Sequence, residues 1–385
     1  MKTSIATIRF IGVFLCLVAS GVAYEEPGCC FTLCNEPPIS FYGYNHSARP
    51  VCGDRLCTNF FDHLSGRFDF LWWKPSEEGI ALGTVVNQRT FNLTQANNVY
   101  FDTHTLNPHF KFDPGFRLGI GYYSPCDCWD LIFNWTHYHS KAQTGYDIAE
   151  QAHGTSFVSD WTMDPSLVYT FAKARWTLDL DWVDCELAYR YYVSHCCILR
   201  PYLGVRAARL GQKYHVEANG EGVLQNAMTG IKSSCCFQGI GPRAGLDLEF
   251  RLDCGFSVVG QAAASIVYGS YHRSSDDLTT VPGEGGGPTQ NVFYDADIGE
   301  PRSTSMTMTD MAIGLKWECC VECCNTMHPL SILAAWEHHC FYNSNQFNYQ
   351  DLPAAFFDPS DPDTYVRKRG DMILQGFTLS ILIGF

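Results

Sequence analysis

The chain has 385 residues, with 26 Lys+Arg against 40 Asp+Glu and a formal net charge of −14. So acidic a balance excludes a nucleic-acid binder working through basic patches. Aromatic residues make up 14% and cysteines number 19, a composition that argues against an ordinary reduced, soluble enzyme.

The first predicted element is a secretory signal. Lys2 and Arg9 precede the apolar run Phe10–Ala19, and small residues end at Ala23. Cleavage is expected after Ala23. The apolar core is short for a membrane anchor, and no small residue stands just before Cys16, as a lipoprotein signal would require. Without residues 1–23 the chain keeps 24 Lys+Arg, a net charge of about −16, and 18 cysteines. Residues 24–65 read as a Cys-rich periplasmic segment. No later stretch holds the ~20 apolar residues of a membrane helix. A transmembrane β-barrel escapes such a scan, because lipid-facing and lumen-facing residues alternate along its strands.

Residues 66–385 carry that alternation. In chain order, 66–73 sets Phe68, Phe70 and Trp72 against Arg67 and Asp69. Residues 116–123 set Phe116, Leu118 and Ile120 against Arg117, and 129–138 set Leu131, Phe133 and Trp135 against Asp130. Over 176–192 the apolar face changes phase, from Leu178, Leu180 and Trp182 to Val183, Leu187 and Tyr189, which predicts a β-bulge. Residues 199–207 oppose Leu203 and Val205 to Arg200 and Arg206; 241–251 oppose Leu246 and Phe250 to Arg243, Asp247, Glu249 and Arg251. Weaker alternation follows at 255–269, then 310–318 (Asp310 and Lys316 on the polar side) and 330–339 (Ser331 and Glu337). The last strand, 370–385, ends on Phe385 with Ile383, Ile381, Leu379 and Phe377 on the same face. The expected fold is all-β: a transmembrane antiparallel β-barrel of about ten strands, within a range of 8–16.

Connections alternate in length. Short ones fall at 124–128, 194–198, 252–254 and 319–329; long ones at 74–107, 139–175, 208–235, 270–305 and 342–368. Short periplasmic turns and long extracellular loops are the plan of bacterial outer-membrane barrels. One further hairpin has room within 79–113 or 140–175. Closure leaves no free edge, so a terminal strand can be wholly apolar outside.

The turn cysteines are disulfide candidates: Cys126, Cys128, Cys196, Cys197, Cys254, Cys319, Cys320, Cys323 and Cys324, together with Cys29, Cys30, Cys34, Cys52 and Cys57 of the N-terminal segment. Adjacent cysteines rarely bond to each other, so links between turns, or between chains in an oligomer, are expected to stiffen the envelope. Zinc at 319–324 is the competing reading; no metal or other cofactor is expected. On the faces assigned above, the lumen receives Arg67, Asp69, Arg117, Asp130, Asp184, Glu186, Arg200, Arg206, Arg243, Asp247, Glu249, Asp310 and Glu337. Opposed rows of these charges would create a transverse field in a pore. No catalytic residue is assigned: the chain lacks G-x-S-x-G and H-E-x-x-H. His338 and His339 alternate faces and are expected near the outer rim.

The wording of 116–140, 178–217 and 239–269, including "LRPYLGVRAA", "QKYHVE" and "GIGPRAGL", resembles the Legionella-type pore-forming major outer membrane protein family, to which MOMP-like proteins of chlamydia-related bacteria belong. The resemblance spans about 110–385. It implies a porin that admits small hydrophilic solutes. The alternative is a structural or adhesive coat protein with a closed or plugged barrel. Phe385 resembles the terminal signal read by the barrel assembly machinery. Expected partners are that machinery, outer-membrane lipid and disulfide-linked or homo-oligomeric copies, with no nucleic acid.

Overall fold

The computed structural model describes residues 63–384, apart from 94–95, 125–127, 151–154, 162–166, 195, 223–226, 253, 282–289, 297–301, 324–325, 352–363 and 368–369. The expected signal, the five N-terminal cysteines, Cys126, Cys324 and Phe385 lie outside the described residues.

Ten strands form the wall: β1 (Leu64–Glu77), β2 (Asp113–Tyr123), β3 (Trp129–Asp147), β4 (Leu167–Tyr189), β5 (Cys197–Gly222), β6 (Ala227–Arg251), β7 (Phe256–Val281), β8 (Arg302–Cys323), β9 (Thr326–Asn345) and β10 (Gly370–Gly384). Each pairs antiparallel with its sequence neighbours, and β1 pairs with β10, so the barrel closes. The alternating segments read from the sequence fall on these strands, except that 176–192 overruns β4 and its end, Tyr191–Tyr192, is a separate short strand against β5. The rule behind them is period two with an apolar outside: Phe68, Phe70, Trp72, Leu203, Ile240 and Ile313 are all exposed.

The register fixes the barrel's girth. From Phe70, one route round the ladder passes Phe116, His137, Asp181 and Arg209 to reach Gln238. The other passes Leu379, Ala334, Leu315 and Val258 to reach Phe250. The routes meet β6 about 12 residues apart, a stagger that tilts the strands by roughly 40°. At that tilt an apolar band of ~25 Å takes about ten residues. Counted from the short turns, its outer edge falls near His139, Asp179, Arg209 and Gln238. Aromatic side chains mark both borders: Trp129, Phe250 and Trp317 at the turns, Trp72, Trp135 and Trp336 towards the long end.

Several expectations are corrected. No bulge interrupts 176–192: the ladders on both sides of β4 run without a shift from Phe171 to Ala188. Leu178, Leu180 and Trp182 point into the barrel together with Asp184 and Glu186, while Leu187 faces lipid. What changes is the lumen, which is apolar at one level and charged at the next. The stretches 139–175, 208–235 and 270–305 are not mainly loops, because β3 to β7 run on through much of them. Beyond the lipid edge the outer face turns polar, so alternation fades while the backbone ladder continues. Residues 319–329 are not an extended turn either: β8 reaches Cys323 and β9 starts at Thr326. A hairpin does occupy 79–113, as Gly83–Leu93 and Ala96–Leu106, but it pairs with Thr155–Ser159 in a separate three-stranded sheet, outside the wall.

The remaining turns keep the cysteines near one end. Cys254 and Gly255 both take left-handed φ, 58° and 79°, the backbone of a tight hairpin between β6 and β7. Cys128, Cys196, Cys197 and Cys319 lie at the same end of their strands.

Candidate functional site in the barrel lumen

All thirteen charged residues assigned to the inner face lie on the inner side of the barrel, and twelve of them pair with one another; Glu249 pairs instead with Lys316 and Arg251. At mid-height, Arg117 donates to Asp69 at 2.9 Å and to Glu337 at 2.9 Å. Arg206 bonds Asp184 at 2.7 Å and Asp310 at 2.9 Å. Arg243 bonds Glu186 at 3.1 Å and also reaches Asp310. Arg67 bonds Asp69 at 2.7 Å. Arg117–Asp69 and Arg206–Asp184 join neighbouring strands, whereas Arg117–Glu337, Arg206–Asp310, Arg243–Glu186 and Arg243–Asp310 join strands that are not neighbours, so the pairs bridge the bore as well as follow its wall.

His339 was missed, and its placement near the outer rim is corrected. It is buried at the centre of this layer, with Nδ1 2.6 Å from Asp310 and Nε2 3.0 Å from Glu337. Both ring nitrogens face a carboxylate oxygen, an arrangement that suits a ring protonated at both. Trp73 and Trp182 flank it, with ring centroids at 4.7 and 5.3 Å. His339 shares the parity of Glu337 and Ser331, which is the signal that could have found it. Arg67, Arg117, Arg206, Arg243 and His339 thus face Asp69, Asp184, Glu186, Asp310 and Glu337. The layer is neutral and interdigitated, so the expected opposed rows of charge are not formed.

Above this layer the lumen is an apolar core. Leu71, Trp73, Leu180, Trp182, Phe341 and Leu374 are buried there, and the core continues through Tyr214 and Phe347 to Ile80, Leu82 and Trp161 over the mouth. The cover is tied by polar contacts: Tyr214 Oη donates to the Ile80 carbonyl at 2.9 Å, and Trp161 Nε1 to the Ala81 carbonyl at 2.7 Å. One polar pair, Gln212 to Glu77 at 2.7 Å, is embedded in the core.

Below the layer, towards the short turns, the lumen opens into a cavity of about 190 Å³. Arg200 joins Asp130 at 3.3 Å and Asp247 at 2.5 Å, Lys316 holds Glu249 and Glu318, and Arg251 lies 3.5 Å from Glu249. Arg190, left out of the sequence assignment although it shares the parity of Asp184 and Glu186, bonds Asp130 at 2.5 Å. A smaller cavity of about 60 Å³ sits within the charged layer itself. Tyr202 spans the wall over Gly245, where a Cβ would come within 2.3 Å of its ring. Its hydroxyl receives Gln261 at 3.2 Å and Arg243 at 3.3 Å.

Among the described residues no group of His, Cys, Asp and Glu has the arrangement of a metal site. Of the turn cysteines proposed for zinc, Cys324 lies outside the described residues.

Three solved outer-membrane barrels are similar in fold. The protease OmpT of Escherichia coli is 11% identical, with 86% of this chain and 99% of that one covered and a TM-score of 0.37. A FadL homologue of Pseudomonas aeruginosa is 8% identical, with 84% and 91% covered and a TM-score of 0.29. The toluene transporter TodX of Pseudomonas putida is 7% identical, with 84% and 90% covered and a TM-score of 0.22. At such scores they carry no argument, and the barrel stands on this chain's own ladder. No curated protein matches in sequence. The family model described as the Legionella pneumophila major outer membrane protein precursor matches residues 65–383. With a closed barrel, a lipid-facing apolar band and that match over most of its length, the chain is an outer-membrane protein and belongs to the Legionella major outer membrane protein family.

Proposed function

We propose that the protein is a sealed outer-membrane barrel, a wall element of the envelope that presents its long strands and loops outside and does not conduct in its resting form. One observation carries this reading: side chains crowd the bore at two successive levels, first the paired layer of Arg67, Arg117, Arg206, Arg243 and His339 with five carboxylates, which leaves a cavity of only about 60 Å³, and then the aromatic core around Trp73, Trp182 and Phe341. Ten strands at this stagger enclose a bore that side chains can fill. No catalytic role is assigned: the carboxylates of the charged layer are engaged by Arg and His, and Glu77 above them accepts from Gln212.

The second reading is a diffusion porin for small hydrophilic solutes. It is favoured by the polar cavities of about 190 and 60 Å³ stacked in the short-turn half. Conduction would then require the apolar core to part. The cysteines gathered at the short-turn end are proposed to cross-link turns or chains in the oxidising periplasm.

Planar-bilayer recording of the refolded, oxidised protein separates the readings. Silence from barrels that keep their folded, heat-modifiable migration is the expected result. Discrete ohmic steps would overturn the sealed reading and establish the porin. Non-reducing gels of unreduced native membranes should run the protein as oligomers or as a compact monomer that shifts on reduction. A monomer band unmoved by reductant would remove the cross-links from the proposal.

A further inference from the structure

The outer face of the wall is unevenly charged just beyond the lipid edge. On β3 to β6 the outward positions carry Lys141, Lys173, Arg175, Arg209, Lys213 and Lys232. Arg175, His215 and Lys232 share one row of the ladder, and Lys141 and Lys213 lie in the adjacent row. Four strands at ~4.8 Å spacing make this a patch roughly 15 Å across. On β8, β9, β10 and β1, Lys74 is the only Lys or Arg pointing outward among the described side chains; the outward positions there include Ser303, Ser305, Thr307 and Tyr342.

The patch is also free to bind. Among the described side chains of β3 to β6, four carboxylates share the face and each has a partner; Glu217 also feels Lys173 and Arg175, and at the patch border Asp276 of β7 stands opposite Lys232. His137 holds Asp181 at 2.8 Å, His139 holds Asp179 at 2.5 Å, and His215 holds Glu217 at 2.8 Å. Asp147 accepts the backbone N–H of Ala149 at 2.9 Å. None of the six Lys and Arg side chains makes an ion pair among the described residues. Height matters as well. Arg209 lies at the lipid edge, Lys141 is the next outward position past His139, and Lys213 and Arg175 are two outward positions past Arg209 and Asp179. Each such step rises about 5 Å along a tilted strand. The cations therefore begin at the level of lipid phosphates and extend into a large headgroup, above a strip of Trp135, Val205 and Ile240 that acyl chains can cover.

We propose that this face of β3 to β6 is a seat for a phosphorylated glycolipid of the outer leaflet, its acyl chains on the apolar strip and its phosphates on Arg209, Lys141, Lys213 and Arg175. A cation at a membrane surface contributes about fivefold to anionic-lipid affinity. This inference rests on the outer-membrane placement and is independent of whether the lumen conducts.

The test is a titration of lipid A bisphosphate into the full-length, detergent-folded protein, read by native mass spectrometry against phosphatidylcholine. The wild type is expected to take lipid A preferentially. The variant K141Q/R175Q/R209Q/K213Q should lose that preference by at least ~100-fold, given about fivefold per cation, whereas Lys74→Gln should leave it unchanged. Should the fourfold variant fail to fold, K141Q/K213Q, which alters exposed positions only, should still weaken binding by roughly 25-fold. Affinity in these variants within twofold of wild type would overturn the proposal. So would displacement of lipid A by equal amounts of its deacylated bisphosphate headgroup, which would mark a phosphate site and no lipid seat.

Discussion

Arg206 and Val205 are adjacent, and the step between them separates two solvents. Val205 is 46% exposed, on the lipid side; Arg206 is 1% exposed, on the lumen side. Arginine is stable at 206 because Asp184 and Asp310 meet it there. Moved one residue, to 205 near the middle of the band, it should cost about 2–4 kcal/mol. Arg206→Ala should cost a comparable ~3–5 kcal/mol for the opposite reason, by leaving buried carboxylates without a cation. Urea unfolding of both variants in detergent micelles checks the pair, and a cost under 1 kcal/mol for either would contradict the assigned faces. Gly245 is a subtler case, since its missing side chain gives Tyr202 its place across the wall. Gly245→Val should cost ~1–3 kcal/mol by overpacking and should release the Tyr202 hydroxyl from Gln261. The same unfolding assay, with Tyr202→Phe as a control that spares the ring, distinguishes the two effects.

At the scale of elements, β4 shows why one strand was misread. Its inward residues run Trp176, Leu178, Leu180, Trp182, Asp184, Glu186, all buried. The apolar residues of the upper lumen and the apolar residues of the lipid face have opposite parity. A reader of sequence who takes apolar to mean lipid will see a slip in the middle. The strand has none, and its two halves differ in what they face. The practical consequence is testable on the apolar plug. Trp73 and Trp182 lie with ring centroids 5.9 Å apart and Phe341 sits 6.0 Å from Trp182. Replacing all three by Ala removes three of the largest buried side chains from the apolar plug while leaving the wall ladder intact. If the sealed reading holds, W73A/W182A/F341A should leak ions in planar bilayers where the wild type is silent. A silent triple variant with folded, heat-modifiable migration would mean that the ion-paired layer seals the bore unaided.

For the whole molecule, closure and stagger decide the interior. Ten strands offset by about 12 residues make a tube narrow enough for Arg117 on β2 to reach Glu337 on β9, which lies 220 residues away in sequence. That reach turns a set of charges into a neutral, cross-linked disc. It also makes the disc sensitive as a unit. Asp310 receives Arg206, Arg243 and His339, so Asp310→Asn should destabilise by at least ~3 kcal/mol. The loss should be non-additive with Arg206→Ala, since both break one network. A double-mutant cycle by urea unfolding measures it, and simple additivity within ~0.5 kcal/mol would argue against a shared network. The extended long-strand end then carries the basic face of β3 to β6 above the lipid edge, where a bilayer surface would meet it.

The sequence by itself determined the wall. Period two marked all ten strands and, except over the first half of β4, their lipid faces, because the bilayer demands apolar residues at every second position regardless of what the rest of the chain does. The thirteen charges it assigned inward do lie on the inner side, since a charge on the lipid face is too costly to keep, but Arg190, Lys316 and His339 share that side and were not among them. The length of the strands beyond the membrane was not legible, because hydrogen-bonded strands in water need no apolar pattern. Nor was His339, whose role depends on Asp310 and Glu337 converging on it. Only the tertiary structure decided whether the lumen is open. That depends on girth, and girth is set by strand number and stagger, quantities that belong to the closed ladder and to no segment of it.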